Sequence, residues 1–270
     1  MLALAKRLWP KGGVATQVCK AAHPMPWLFH IFLAIHVGAG AAALTSFWGA
    51  VVTRKGGPAH RRWGFVFSAA IYTAAAQALG MGLLSLVWPL AMHPQLSDEV
   101  LYRGMFGTMM VYLGLLAISM TRYGLMMVAN RRDHGANRHW TMVAVQGVTL
   151  GAAAICLAHG VYLLDRNGPV MEPVLMVMVA LLGFGTTITY FRYILAPPAR
   201  PSAYIPEHFK AMVATGIAAY TAFLSVGLIE MFPTHAFNPL IWAIPTSFGM
   251  AIIIHYLRQY RPAAKSQPAE

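Results

Sequence analysis

The sequence predicts an all-α integral membrane protein: a bundle of seven transmembrane helices, a lone first helix followed by three hairpins. Three observations carry this. Of 270 residues, 58% are hydrophobic and only 10% charged, against roughly 25% charged in soluble domains. Seven apolar stretches approach or exceed the roughly 20 residues that a bilayer crossing needs. Lysine and arginine concentrate in alternate connections, the pattern of positive-inside bias. The mean hydropathy of +0.56 agrees.

The N-terminal tail, 1–27, is no cleavable signal peptide, because Lys6 and Arg7 interrupt any apolar core too early. Its Leu2, Leu4, Leu8 and Trp9 suit a helix lying in the interface. The transmembrane domain is 28–257, with spans at 28–52, 63–92, 103–128, 140–164, 171–195, 209–231 and 239–257. Span one then acts as an uncleaved signal-anchor. Spans two, four and six each follow a basic loop that ends in histidine: 54–62 (RKGGPAHRR), 130–139 (NRRDHGANRH) and 200–210 (RPSAYIPEHFK). Trp27 and Trp88 mark one interface, Trp63 and Trp140 the other. Prolines crowd the connections, and Pro245 is expected to kink span seven. The residues 258–270 form a polar C-terminal tail. Gly38, Gly40, Gly80, Gly82, Gly183 and Gly185 are expected where helices approach closely. Cys19 and Cys156 fall at depths too different for a disulfide.

The net charge of +12 would suggest nucleic acid in a soluble protein. Here the loop asymmetry explains it, so nucleic acid is not an expected partner. Arg54, Arg61, Arg62, Arg131, Arg132, Arg138, Arg200 and Arg258 share one side, while Asp98, Glu99, Asp165 and Glu172 lie on the other. Positive-inside bias therefore puts the N-terminus outside and the C-terminus in the cytoplasm of a bacterial inner membrane. The partners expected are the lipid bilayer, anionic headgroups and a second copy of the chain in a homo-oligomer.

Between Ile35 and Ala70 the chain carries His36, Gly38-Ala39-Gly40, then Arg54-Lys55-Gly56 and His60-Arg61 with Gly64 three residues on. This resembles the signature of an uncharacterised bacterial multi-pass membrane family, catalogued as domain of unknown function 2306. The family's later His-Arg-x-Trp stretch is similar to Arg138-His139-Trp140, with arginine and histidine exchanged. The resemblance implies an integral membrane fold and no activity.

Two groups of residues invite chemistry. At the basic side His60, Arg61, Arg62, Arg138, His139, His208 and Lys210, with His255 near the end of span seven, join helix N-termini into a setting for phosphate, carboxylate or an anionic headgroup. The plainer alternative is a topology signal meeting anionic lipid. Within the membrane, His36 lies about 12 Å below the start of span one, and His159 about 7 Å from the far end of span four. With Gly40 one turn from His36, and Gly151 and Ala152 two turns from His159, they suggest one haem b between spans one and four, in a membrane electron carrier. Arg103 and Arg166 stand near for its propionates. The alternative is structural: a neutral histidine satisfied by a carbonyl or hydroxyl of a neighbouring helix.

A second haem is disfavoured, since His139 and His159 stand about 30 Å and 200° apart. No mid-span acid supports a carboxylate proton pump. No HxxxH or HExxH motif supports a zinc hydrolase, a Ser-His-Asp hydrolase is equally unsupported, and Gln77 and Gln146 read as ties between helices. Two functions therefore stand from the sequence. One is the haem carrier; the other is a transporter or lipid-handling protein that binds an anionic substrate or headgroup at the basic cluster.

Overall fold

The computed structural model describes residues 26–93, 97–196, 198, 200–231 and 239–259. The interfacial reading of the N-terminal tail, Cys19, and nearly all of the C-terminal tail lie outside them. Helix α1, Pro26–Val52, is apolar on every side. It ends in a turn that requires Gly56, whose φ is 75°. Helix α2, Pro58–Val87, starts earlier than its apolar run does, because Pro58 takes the first helical turn behind an extended Gly57. His60, Arg61 and Arg62 therefore belong to the helix. The break at Trp88 precedes Pro89, which lacks the N–H to continue and opens the short α3, Pro89–Met92. Span two thus stops at Val87 rather than at 92.

Span three begins before its expected position. Asp98 caps α4, Glu99–Tyr102, by accepting from the N–H groups of Val100 at 3.1 Å and Leu101 at 3.0 Å. The backbone then widens into a π-helical segment, Arg103–Met109, before α5, Met110–Ala129. A 3₁₀ turn, His134–Arg138, leads to α6, Trp140–Asn167, then α7, Met171–Leu195. Helix α8 is Tyr204–Met231, and α9 is Pro239–Gln259 with Pro245 inside it.

Five helical stretches are long and apolar enough to cross a membrane: Trp27–Val52, Pro58–Val87, Glu99–Ala129, Trp140–Asn167 and Met171–Leu195. Their outward faces are apolar. Phe65, Ile155 and Leu182 remain 74%, 65% and 63% exposed, a surface that water penalises and lipid solvates. The chain is an all-α, multi-pass membrane protein.

Two cores hold the bundle. The larger joins α5 and its π-helical segment to α6 and α7 through Met105, Tyr112, Tyr123, Cys156, Met176 and Tyr190. The smaller joins α1, α2, α8 and α9 through Phe47, Phe67, Val213 and Ile253. Close approach happens at only some of the expected glycines. A Cβ on Gly80 would sit 2.6 Å from Phe32, one on Gly82 2.9 Å from Val111, and one on Gly183 would collide with the Tyr112 hydroxyl. Gly38, Gly40 and Gly185 meet nothing within 4 Å. Those three present flat outer surface rather than a helix crossing.

Candidate functional site: the basic end of the bundle

The three histidine loops meet at one end, and each reaches back to the backbone of another helix. His60 Nδ1 donates to the Ala50 carbonyl of α1 at 2.9 Å. The ammonium of Lys55 donates to the carbonyls of Ala50 and Val51, and its partial burial lowers its pKa. Arg138 donates from Nε to Ile194 at 3.3 Å and from Nη2 to Leu195 at 3.1 Å, and His134 donates to Ala196 at 2.8 Å. His208 Nδ1 donates to Gly124 of α5 at 2.7 Å. A helix leaves its last four carbonyls without partners, and cationic side chains satisfy them. His60, Lys55, Arg138 and His134 work as such caps, whereas Arg61 and Arg62 are exposed.

The predicted anion-binding set is accordingly divided. His60 belongs to the α1–α2 turn, His208 and Lys210 to the start of α8. Only Arg138 and His139 share a hollow, of about 490 Å³, beneath the 3₁₀ turn and between the ends of α5 and α6. Its lining adds Arg122, Asn130, Thr141 and the apolar Met126 and Met142, and contains no carboxylate. Arg122 Nη2 donates to Thr141 Oγ1 at 2.8 Å, and the Thr141 hydroxyl donates on to His139 Nδ1 at 3.0 Å. The Thr141 N–H also points to that Nδ1, which caps α6. Accepting at Nδ1 leaves Nε2 as the ring nitrogen that can donate. Arg122 Nε is buried with no acceptor among the described residues. The hollow thus combines two arginines and a histidine donor at a helix N-terminus, a setting that favours an anion.

Arg122 sits in the last two turns of an apolar run, outside the basic loops that the sequence singles out. Glu207 is not among the residues singled out either. Glu207 accepts from the hydroxyl of Tyr123 at 2.8 Å and from Lys210 at 2.5 Å. Tyr123 is fully buried and stacks on Tyr190 with ring centroids 3.8 Å apart. Lys210 is therefore paired within α8, while Tyr123 ties α8 to α5 through Glu207 and α5 to α7 through Tyr190.

His36 and His159 make their hydrogen bonds with different neighbours. Among the described residues α1 packs on α2, α3 and α8, while α6 packs on α5, the π-helical segment, the 3₁₀ turn and α7. His36 Nδ1 donates to the Ala74 carbonyl of α2 at 2.8 Å. His159 Nδ1 shares a hydrogen bond with the Thr108 hydroxyl at 2.8 Å, and its Nε2 edge lies against Gly104. Both contacts are of the structural kind, a carbonyl in one case and a hydroxyl in the other. At this far end Arg166 pairs with Asp98 at 3.0 Å and Arg103 with Glu99 at 2.5 Å. The Leu101 N–H first, then Arg166 and Asn167, hold the Asp98 carboxyl below the usual carboxylate range.

Compared with known protein families, curated proteins and solved structures, the chain has no match. The resemblance carried by His36 to Gly64 rests on those residues alone.

Proposed function

We propose that this is a seven-span transporter or lipid-handling protein of a bacterial inner membrane, N-terminus outside and C-terminus inside, which holds an anionic substrate or headgroup at its basic end. Helices α8 and α9 are 28 and 21 residues long, about 42 and 31 Å at 1.5 Å per residue, and they share a core with α1 and α2. That supports counting them as spans six and seven. The arginine-rich end faces the cytoplasm by positive-inside bias.

One observation carries the anion reading: the hollow gathers Arg122, Arg138 and His139 with no carboxylate to neutralise them. A charge-assisted hydrogen bond from Arg122 is worth about 1.5–3 kcal/mol, roughly tenfold or more in affinity. Native mass spectrometry of protein purified in mild detergent tests this. Arg122→Gln should lower the fraction carrying a bound anion or anionic lipid about tenfold. Arg61→Gln with Arg62→Gln, outside the hollow, should leave it unchanged. Equal losses in both variants would reduce the basic end to a topology signal.

A further inference from the structure

We propose that the occupant of the hollow is the phosphate of an anionic glycerophospholipid, with an acyl chain lying along the exposed side of α6; this rests on the anion-site reading above. The groups that line the hollow define a phosphate end, namely the guanidinium of Arg122 and the ring of His139. A soluble phosphate and a lipid phosphodiester satisfy such donors alike, so the surroundings decide between them.

Thr141, the link between the two donors, stands at the edge of the lipid-facing side of α6. At 100° per residue, Ala144, Val148, Gly151 and Ile155 fall within about 80° of it and descend from it along the helix. All four are exposed. A Cβ on Gly151, within the strip, or on Gly147, at its margin, would meet nothing within 4 Å, so open space adjoins the helix beneath the hollow. From residue 144 to 155 the strip runs about 16 Å, close to half of a hydrocarbon core about 30 Å thick. Trp140, 72% exposed, sits beside the hollow where headgroup-level aromatic residues anchor membrane proteins. Met126 and Met142 give the hollow an apolar floor. A headgroup site beside a chain-length apolar strip fits a lipid, whereas the strip adds nothing for a soluble ion.

The test uses the full chain in phosphatidylcholine nanodiscs, following the melting temperature. One arm replaces part of the phosphatidylcholine with phosphatidylglycerol; the other adds inorganic phosphate at matched ionic strength. The wild type should gain several degrees with phosphatidylglycerol and much less with phosphate. Arg122→Gln, or His139→Ala if the first variant does not fold, should lose the response. Gly147→Leu with Gly151→Leu fills the strip and leaves the donors in place. It should keep the wild-type response to phosphate and lose most of the response to phosphatidylglycerol. Equal responses to both anions, with the glycine variant behaving as wild type, would overturn the lipid assignment and leave a soluble-anion site standing. If neither anion moves the wild type, the anion site itself is wrong.

Discussion

Arg138 and Leu195, 57 residues apart in sequence, are joined end to end: the guanidinium donates to the Leu195 carbonyl at 3.1 Å while its Nε reaches Ile194. The loop between α5 and α6 thereby closes the last turn of α7. The same economy recurs where His60 meets Ala50 and where His134 meets Ala196. The residues that read as a membrane-orientation signal are also the caps of neighbouring helices.

This makes Arg138 a stability residue. Arg138→Ala should cost about 1–2 kcal/mol, since two carbonyls lose a charged donor, and lower the melting temperature in detergent by a few degrees. Arg138→Lys should recover part of the loss, because an ammonium lacks the planar fork that reaches both carbonyls. An unchanged melting temperature in Arg138→Ala would remove the capping role.

His36 and His159 should behave as independent residues. Each single alanine variant should lose about 1 kcal/mol for its hydrogen bond, and the double variant should lose the sum to within about 0.5 kcal/mol. A coupling above about 1 kcal/mol, or a reduced-minus-oxidised visible spectrum that both variants abolish, would point instead to a shared haem.

Five of the spans were legible in the sequence because length and apolarity decide them, and the helix starts were not. Pro58 and Tyr204 open helices inside polar loops, where the chain's backbone geometry rather than apolarity sets the boundary. The π-helical segment was invisible for a related reason. Its seven residues form an ordinary apolar run, and only packing of Gly104 on α6 and of Gly107 on α2 reveals its special role. Glu207 stands in a loop singled out for its histidine. Its significance appears only when the fold brings Tyr123, 84 residues earlier, to its carboxylate. Arg138 and His139 were legible as part of a basic loop, and Arg122 carries a signal of its own: a charge inside the last turns of an apolar span.

The glycines separate into two kinds with opposite expectations. Gly183→Ala drives a methyl into the Tyr112 hydroxyl and should destabilise by about 1–3 kcal/mol. Gly40→Ala meets nothing and should leave stability unchanged or slightly raised. Thermal melting of the two variants side by side checks both, and equal effects would contradict the packing of α5 on α7.

At the far end Asp98 gives a pH signature. Its folded pKa lies below the ordinary 3.8, so its contribution is fully present above that value and is lost as pH falls through the folded one. Asp98→Ala should therefore be less stable than wild type at pH 7, by about 1 kcal/mol for the lost cap. The gap should narrow below pH 3.8. A gap that persists unchanged in acid would mean that the charge of Asp98 plays no part.

Orientation is open to reporter fusions. A reporter joined after Arg132 should read as cytoplasmic and one after Arg166 as external. The reverse pattern would place the basic end outside and invert the assignment.

The anion site itself is tested most directly at one atom. In protein with labelled arginine, the Nε–H resonance of Arg122 should exchange slowly with water, since the atom is buried without an acceptor. On titration with an anionic headgroup the guanidinium resonances of Arg122 should shift, since its side chain lines the hollow, while Arg61 and Arg62 shift little. An Arg122 resonance that stays fixed while the exposed arginines move would contradict the site.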